Sequence, residues 1–115
     1  MIDLQSRVPI YEQLYSCVKN MIVDGELKQD EKLPSVREMS KELSVNPNTV
    51  TKAFQALERD KIIYTVPGKG SYAAGLQNEK LRADAMEDFE RSSKNALRVG
   101  IMADELTEKI KEMSK

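Results

Sequence analysis

The chain of 115 residues has no histidine, no tryptophan and a single cysteine, Cys17. One cysteine excludes an internal disulfide, and without histidine the usual structural zinc sites lack their ligands. The sequence also offers no histidine base and no pair of carboxylates whose spacing would bring them together. We therefore expect no catalytic residue, no metal site and no cofactor, which argues against an enzyme.

Long apolar stretches are missing as well. No run approaches the roughly 18 residues that a membrane-spanning helix needs, and the first residues, MIDLQSRVPIYEQ, lack the basic segment and apolar core of a secretory signal. The apolar fraction of 40% and the charged fraction of 32% are ordinary for a globular protein. These features predict a cytoplasmic protein, with no membrane partner, that has one small domain and an appendage.

Hydrophobic spacing predicts two helices in the first part of the chain. The first runs from about Pro9 to Asp24, where apolar residues recur at steps of three and four, and Gly25 is suited to end it. The second begins at Ser35, because Ser35-Val36-Arg37-Glu38 has the pattern of a capping box.

A third helix and a hairpin follow after a short turn. Asn46 is expected to cap a helix that ends near Asp60, and its first N–H groups are expected to attract a phosphate. Ile62 to Val66 is rich in β-branched residues and alternates as a strand does. The tip Pro67-Gly68-Lys69-Gly70 then leads into a return strand from Ser71 to Ala74.

Two more helices are predicted after the hairpin. The first spans about Gln77 to Arg98, and Gly100 reads as its end, with Ile101 packing back over it. The last runs from about Ala103 to Met113. The chain is therefore expected to be mostly α-helical.

This order of elements is a winged helix-turn-helix, with three helices and a small β-hairpin wing, followed by two C-terminal α-helices. A wing of this kind typically contacts nucleic acid, so the sequence predicts a protein that binds double-stranded DNA. We place the DNA-binding domain at residues 1–75 and a C-terminal helical dimerisation region at residues 76–115.

The third helix carries the residues expected to read DNA. With its apolar stripe facing inward, Asn48, Thr49, Thr51 and Lys52 point outward. Asparagine pairs with an adenine edge, threonine offers a hydroxyl and a methyl group, and lysine reaches guanine or phosphate. The alternative is a merely solvated helix face, which usually carries more glutamate. No acidic residue occurs from Val45 to Leu57, which favours a surface for phosphate.

Two further contacts are expected outside this helix. Arg37 lies on the outer side of the second helix, where it reaches phosphate, or alternatively forms a surface ion pair with a neighbouring glutamate. Lys69 supplies charge at the wing tip, and Gly68 and Gly70 allow the backbone to approach DNA. The Gly-Lys-Gly-Ser run is no nucleotide-binding loop, because the upstream glycine is missing and no helix follows.

The net charge of −1 is low for a DNA-binding protein, but the charges are unevenly distributed. Residues 32–72 hold seven basic and four acidic side chains, whereas residues 76–115 hold eight basic and nine acidic ones. Phosphate affinity depends on the local field and on the counterions released there. The positive excess lies in the predicted DNA-binding part, although it is small enough that a monomer should bind weakly.

Several segments resemble the GntR family of bacterial winged-helix regulators, and closely its small YtrA-like subfamily. The segments are Pro9-Ile10-Tyr11-Glu12-Gln13, Leu33-Pro34-Ser35-Val36-Arg37-Glu38, Val45-Asn46-Pro47-Asn48-Thr49-Val50, Lys52-Ala53-Phe54, Leu57-Glu58 and Gly68-Lys69-Gly70. The resemblance implies repression of transcription by a homodimer on an inverted repeat, and for the subfamily often control of a neighbouring transporter operon. It also implies DNA contacts at Arg37, at the segment from Asn46 to Lys52 and at Gly68.

Three positions depart from the family pattern. A glycine that usually precedes the Leu-Pro-Ser run is replaced within Gln29-Asp30-Glu31-Lys32. Lys61 stands where glycine is common at the turn into the wing, which predicts mild backbone strain. Thr51 replaces an arginine found in some relatives, and this leaves the base preference open. Larger relatives carry a separate effector domain or an aminotransferase domain, and we expect residues 76–115 to hold neither.

The C-terminal helices are expected to hold a dimer together. Two short helices cannot bury their apolar faces alone, so the apolar stripe needs a partner. The residues predicted for this surface are Leu81, Phe89, Val99, Leu106, Ile110 and Met113. Packing against the first helix of the same chain is the alternative. Self-association is favoured because a two-fold dimer doubles the DNA contacts.

Two questions of function stay open at this stage. A winged-helix module that docks a protein through its third helix is the competing function, but protein hot spots favour tryptophan, tyrosine and arginine over the side chains found here. An unknown small-molecule effector is the other open partner. Its pocket would lie between the C-terminal helices and the first helix, and the sequence does not identify the ligand.

Overall fold

The computed structural model describes residues 2–115 and has five α-helices and one two-stranded sheet in that range. The elements are α1 (Ile10–Val23), α2 (Val36–Leu43), α3 (Pro47–Arg59), β1 (Ile63–Val66), β2 (Gly70–Ala73), α4 (Glu79–Arg98) and α5 (Ala103–Met113). The predicted winged helix-turn-helix with two C-terminal helices is confirmed. The largest shift is at α4, which begins at Glu79 because Asn78 accepts the Lys80 N–H at 2.8 Å.

The hydrophobic core lies where α1, α2, α3 and the hairpin meet. Each element contributes the apolar face predicted from its spacing, and burial of a large side chain of this kind contributes about 1.5–3 kcal/mol. The largest fully buried side chains are Leu14, Val18, Val50, Leu57, Ile62 and Ile63. The opposite faces of α2 and α3 are therefore free to carry polar groups.

Local side-chain hydrogen bonds begin α2 and α3, as predicted. Ser35 and Glu38 form a complete capping box, in which the Glu38 N–H donates to Ser35 Oγ at 3.0 Å and the Ser35 N–H donates to Glu38 Oε1 at 3.1 Å. Asn46 Oδ1 accepts the Asn48 N–H at 2.8 Å. A cap of this kind stabilises a helix by about 0.5–2 kcal/mol.

The turn between α2 and α3 is closed by a left-handed residue. Ser44 has a φ of 54°, and the Val45 N–H donates to the Ser40 carbonyl at 3.1 Å. The Ser40 hydroxyl donates in return to the Val45 carbonyl, and the Val45 side chain is buried. Because two hydrogen bonds tie Val45 to Ser40 of α2, the turn sets the direction in which α3 leaves.

Two residues besides Ser44 occupy backbone positions that favour glycine. Lys61 has a φ of 60° and Asp30 a φ of 66°. At Lys61 the chain ends α3 in a Schellman motif, with the Ile62 N–H donating to the Leu57 carbonyl at 2.9 Å. The strain predicted at Lys61 is confirmed by this φ. Asp30 is the strained residue within the segment where the resemblance expects a glycine.

Replacing Lys61 by glycine is expected to raise the free energy of unfolding by about 0.5–1 kcal/mol. The left-handed conformation costs a residue with a Cβ about 1–2 kcal/mol, and the greater freedom of glycine in the unfolded chain offsets part of this gain. Urea unfolding followed by circular dichroism measures the difference. Lys61→Ala is the control, because it removes the same charge and keeps the Cβ. Equal stability of the two variants would contradict the assignment of strain.

The described chain divides into two compact units, one ending at Lys80 and the other beginning at Leu81. The prediction placed this division after residue 75. The structure places it later, after Lys80, because the segment that follows the wing is fastened to the first unit. The Asn78 side-chain amide donates to the carbonyls of Asp60 and Lys61 at 3.1 and 2.7 Å. Dimerisation through the second unit stays a prediction.

The second unit consists of most of α4 and all of α5. Gly100 has a φ of 98°, and the Ile101 N–H donates to the Ala96 carbonyl at 3.1 Å, so the predicted end of α4 at Gly100 is confirmed. Within residues 2–115 no helix is long and apolar enough to cross a membrane.

Candidate nucleic-acid interface

The outer face of α3 is polar and accessible along its first two turns. Asn48, Thr51 and Lys52 are exposed, and Thr49 is half-buried. These are the side chains that the apolar stripe directs away from the core, and they form the face predicted to read bases. No acidic residue lies in the first turn of α3.

The backbone at the start of α3 does not offer the free donors that we expected. Pro47 has no N–H, the Asn48 N–H is taken by Asn46 Oδ1, and the Thr49 N–H donates to the Asn46 carbonyl at 2.9 Å. The expectation of free N–H groups at this helix end is therefore wrong, and a phosphate contact there stays a prediction. Asn46 acts as a cap, and a DNA contact from it would have to come from its remaining amide nitrogen.

Lys52 is held in position by a contact that sequence reasoning missed. Its ammonium nitrogen lies 3.9 Å from the centre of the Tyr11 ring, a cation–π contact between α3 and α1. The charge remains at the surface, since the Lys52 side chain is exposed. Tyr11 therefore positions a cation on the outer face of α3. The sequence signal for such packing was limited to the hydrophobic spacing of the first helix, to which Tyr11 belongs.

Arg37 is exposed on the first turn of α2, and within residues 2–115 it forms no salt bridge. The alternative of a surface ion pair with Glu38 is thus not observed, because the Glu38 carboxylate is engaged with Ser35. The Ser35 N–H is the main cause that holds the pKa of Glu38 below its ordinary value. Arg37 keeps its charge available to a phosphate.

The wing is an antiparallel hairpin with an exposed basic tip. Val66 pairs with Gly70, and the Lys69 N–H closes the tip by donating to the Val66 carbonyl at 2.9 Å. Gly68 has a φ of 77°, which is the region that a turn with proline before glycine requires. Lys69 is exposed. The tip therefore has both of the features that were predicted for it, a positive charge and glycine residues that allow the backbone to approach DNA.

A third chain segment extends the wing sheet beyond the hairpin. The Asp30 N–H donates to the Ala73 carbonyl, and the Ala73 N–H donates to the Glu31 carbonyl, at 2.8 and 2.9 Å. On the outer face the Tyr64 and Tyr72 rings stack with their centres 5.5 Å apart, and the Tyr64 hydroxyl donates to Asp30. The segment that leads into α2 is thereby joined to the wing.

The far end of α3 is fastened to α1 by a second tyrosine. The Tyr15 hydroxyl donates to the carboxylate of Asp60, the residue that ends α3. Burial opposes ionisation of this carboxyl, but the Tyr15 hydroxyl and the Arg59 guanidinium outweigh it and lower the pKa of Asp60. Together, Tyr11 and Tyr15 fix the orientation of α3 against α1.

The residues predicted for dimerisation lie in the second unit and differ in exposure. Val99 and Met113 are 69% and 71% exposed, and Phe89 and Ile110 are also exposed. Leu106 is half-buried. Leu81 is 9% exposed, so its apolar surface is covered within the single chain and we leave it out of the proposed interface.

An apolar cavity of about 170 Å³ lies between α1 and α2. Cys17 contributes to its wall and is half-buried. The other lining residues are Leu14, Val18, Met21, Leu27, Leu33, Pro34, Met39, Glu42 and Leu43. The cavity belongs to the first unit alone, and the effector pocket expected near the C-terminal helices remains a prediction. Over residues 2–115 no group of histidine, cysteine and carboxylate side chains is arranged to hold a metal ion.

The arrangement of α2, α3 and the wing corresponds to a known family of regulators. The family of bacterial regulatory proteins called gntR matches residues 10–72, which run from the start of α1 to β2. The chain belongs to the GntR family. It is a transcriptional regulator of the GntR type, and the winged-helix DNA-binding assignment is confirmed.

Individual GntR proteins are similar over most of the chain. The HTH-type transcriptional repressor YtrA of Bacillus subtilis is 38% identical over 98% of this chain and 90% of its own length. A GntR family transcriptional regulator from Listeria monocytogenes has a solved structure with 30% identity and a TM-score of 0.77, covering 95% of this chain and 98% of that one. The resemblance to the YtrA-like subfamily is thereby confirmed.

A solved GntR-type DNA complex matches the DNA-binding part. The DNA-binding domain of AraR, in complex with operator ORX1, is 25% identical with a TM-score of 0.60, covering 64% of this chain and 95% of that one.

Proposed function

We propose that this regulator is a repressor that binds an inverted-repeat operator as a homodimer. The observation that carries the proposal is the outer face of α3, where Asn48, Thr51 and Lys52 are exposed beside a basic wing. Side chains of these types read base edges in the major groove and contact phosphates. The assignment of Asn48, Thr49 and Thr51 to bases, and of Arg37 and Lys52 to positioning, belongs to this proposal.

The dimer is supported by the apolar side chains that the second unit exposes. Met86, Phe89 and Leu97 on α4, and Ile110 and Met113 on α5, are all more than 40% exposed. A second copy of the chain would cover these side chains and place two α3 helices on one side of the duplex. Half-sites about 10 base pairs apart, which is one helical turn, follow from this geometry.

Repression and the type of regulated gene rest on similarity. The relative from Bacillus subtilis is described as a repressor, and we extend that role to this chain. Control of a neighbouring transporter operon is the accompanying proposal, drawn from the YtrA-like resemblance. A repressor acts where the chromosome lies, so we place the protein in the cytoplasm.

Selection of bound DNA tests the proposed function directly. Purified protein is incubated with a random DNA pool and with fragments of the source genome, and the bound DNA is sequenced. We expect enrichment of an inverted repeat, with genomic hits near promoters. Enrichment of a single half-site would overturn the dimer, and no enrichment by a folded protein would overturn sequence-specific binding.

A further inference from the structure

We propose that Lys32 is an additional phosphate contact of the DNA interface and that Gly70 leaves room for its side chain. This inference rests on the proposed operator binding and adds a residue to it. Lys32 precedes the Leu-Pro-Ser run and lies outside the helix-turn-helix and the hairpin. Its placement therefore follows from tertiary contacts alone.

The backbone fastens Lys32 to the wing. Lys32 forms an isolated antiparallel bridge with Tyr72, and the next residue, Leu33, donates its N–H to the Ser71 carbonyl at 2.8 Å. Lys32 thus stands beside β2 at a defined register, as a residue of a third strand would.

The side chain of Lys32 then passes over Gly70. A Cβ built on Gly70 would lie 2.9 Å from Lys32 Cε and 3.7 Å from Lys32 Nζ. The first distance is too short for two carbon atoms in contact, so any side chain at Gly70 would displace the end of Lys32. Gly70 also has a φ of 128°, which favours glycine by itself. The end of the Lys32 side chain accordingly lies beside Gly70, at the base of the wing tip that carries Lys69.

On its other side Lys32 lies near the start of α2. The hydrogen bonds with Ser35 are the larger causes that lower the pKa of Glu38, and the charge of the Lys32 ammonium lowers it further. Glu38 is the neighbour of Arg37 on the first turn of α2. Lys32 is exposed and forms no salt bridge among residues 2–115. Its positive charge therefore lies beside the wing that carries Lys69 and near the first turn of α2 that carries Arg37, two side chains that are proposed to contact DNA.

A cation at this place is expected to act on the DNA backbone. Each phosphate that a lysine neutralises releases counterions, which changes the dependence of log K on log salt by about 0.9. The simpler alternative is that Lys32 is a solvated lysine with no part in binding. The salt dependence separates the two, because a solvated lysine far from phosphate leaves the slope unchanged.

The first test compares Lys32→Ala with Lys28→Ala on the selected operator. Both changes remove one exposed positive charge from the same loop, but Lys28 lies near Ala74 and Gly75, at the other end of β2. We expect Lys32→Ala to reduce the magnitude of the slope of log K against log salt by about one unit per subunit. Lys28→Ala should leave that slope unchanged. Lys69→Ala provides the comparison with a wing-tip charge.

A slope that Lys32→Ala leaves unchanged, with the wild type binding normally, overturns the role of Lys32 and leaves the proposed function intact. Failure of the wild type to select any operator overturns both. An equal fall for Lys28→Ala would also overturn the assignment, since it would reflect overall charge.

The second test asks whether Gly70 acts through Lys32. Gly70→Ala is made in the wild type and in Lys32→Ala, and the operator affinity of all four proteins is measured. We expect Gly70→Ala to weaken binding several-fold in the wild type and clearly less when Lys32 is absent. Backbone strain from alanine at Gly70 is present in both backgrounds, so it does not contribute to the difference between the two losses of affinity. Equal losses in the two backgrounds would show that Gly70 serves the backbone alone.

Discussion

A glutamate in place of Phe89 is expected to turn the protein into a monomer and to weaken operator binding by a factor on the order of 100 to 10,000. Phe89 lies in the middle of α4 and is 46% exposed. The exposed side chains of Met86 and Leu97 lie on the same side of this helix. A charge buried in an apolar interface is strongly unfavourable. Without the dimer each α3 binds its half-site alone, and the gain from simultaneous binding is lost.

Asn95→Glu is the matched control for this experiment. It adds the same charge to the same helix, and the helical period of 100° per residue places Asn95 on the side of α4 away from Phe89. Light scattering gives the oligomeric state and fluorescence anisotropy gives the operator affinity. A dimeric Phe89→Glu protein, or a monomer that keeps the wild-type affinity, would contradict the proposed interface or its contribution to binding.

Replacing Asn48 by alanine is expected to weaken operator binding by about 1–3 kcal/mol through one symmetric pair of base positions. The variant should also have a relaxed base preference at those positions. Asn48 is exposed on the first turn of α3, and its side chain is not needed for the cap, which Asn46 provides through the Asn48 backbone. Folding should therefore be unaffected. Binding profiles of the wild type and the variant over a library of operator mutants measure the effect.

Asn20→Ala provides the control for the Asn48 experiment. It also removes an exposed asparagine, but from α1, far along the chain from the α3 residues that are predicted to read bases. Thr51→Ala should relax a different pair of positions. Identical profiles for Asn48→Ala and the wild type would indicate that specificity comes from the shape of the DNA or from the wing.

Features set by neighbouring residues were predictable from the sequence. The capping box of Ser35 and Glu38, the Asn46 cap and the end of α4 at Gly100 depend on residues within one or two turns, so their patterns are visible along the chain. The strain at Lys61 was expected instead from the resemblance to the GntR family, in which glycine is common at the turn into the wing. The outward face of α3 followed from its apolar period.

Contacts between distant residues were decided by the tertiary structure alone. The Tyr15 hydroxyl meets Asp60, which is 45 residues away, and Tyr11 lies under the Lys52 ammonium. The side-chain cap and the backbone hydrogen bonds at the start of α3 also occupy the N–H groups that were expected to be free there.

The local sequence therefore determined the elements, the caps and the polar face of α3, because backbone propensity and hydrophobic period act over a few residues. It did not determine that Lys32 passes over Gly70 or that Asn78 binds the end of α3. Those contacts form only when the core brings the segments together, since no short-range pattern specifies which side chains meet across a packed fold.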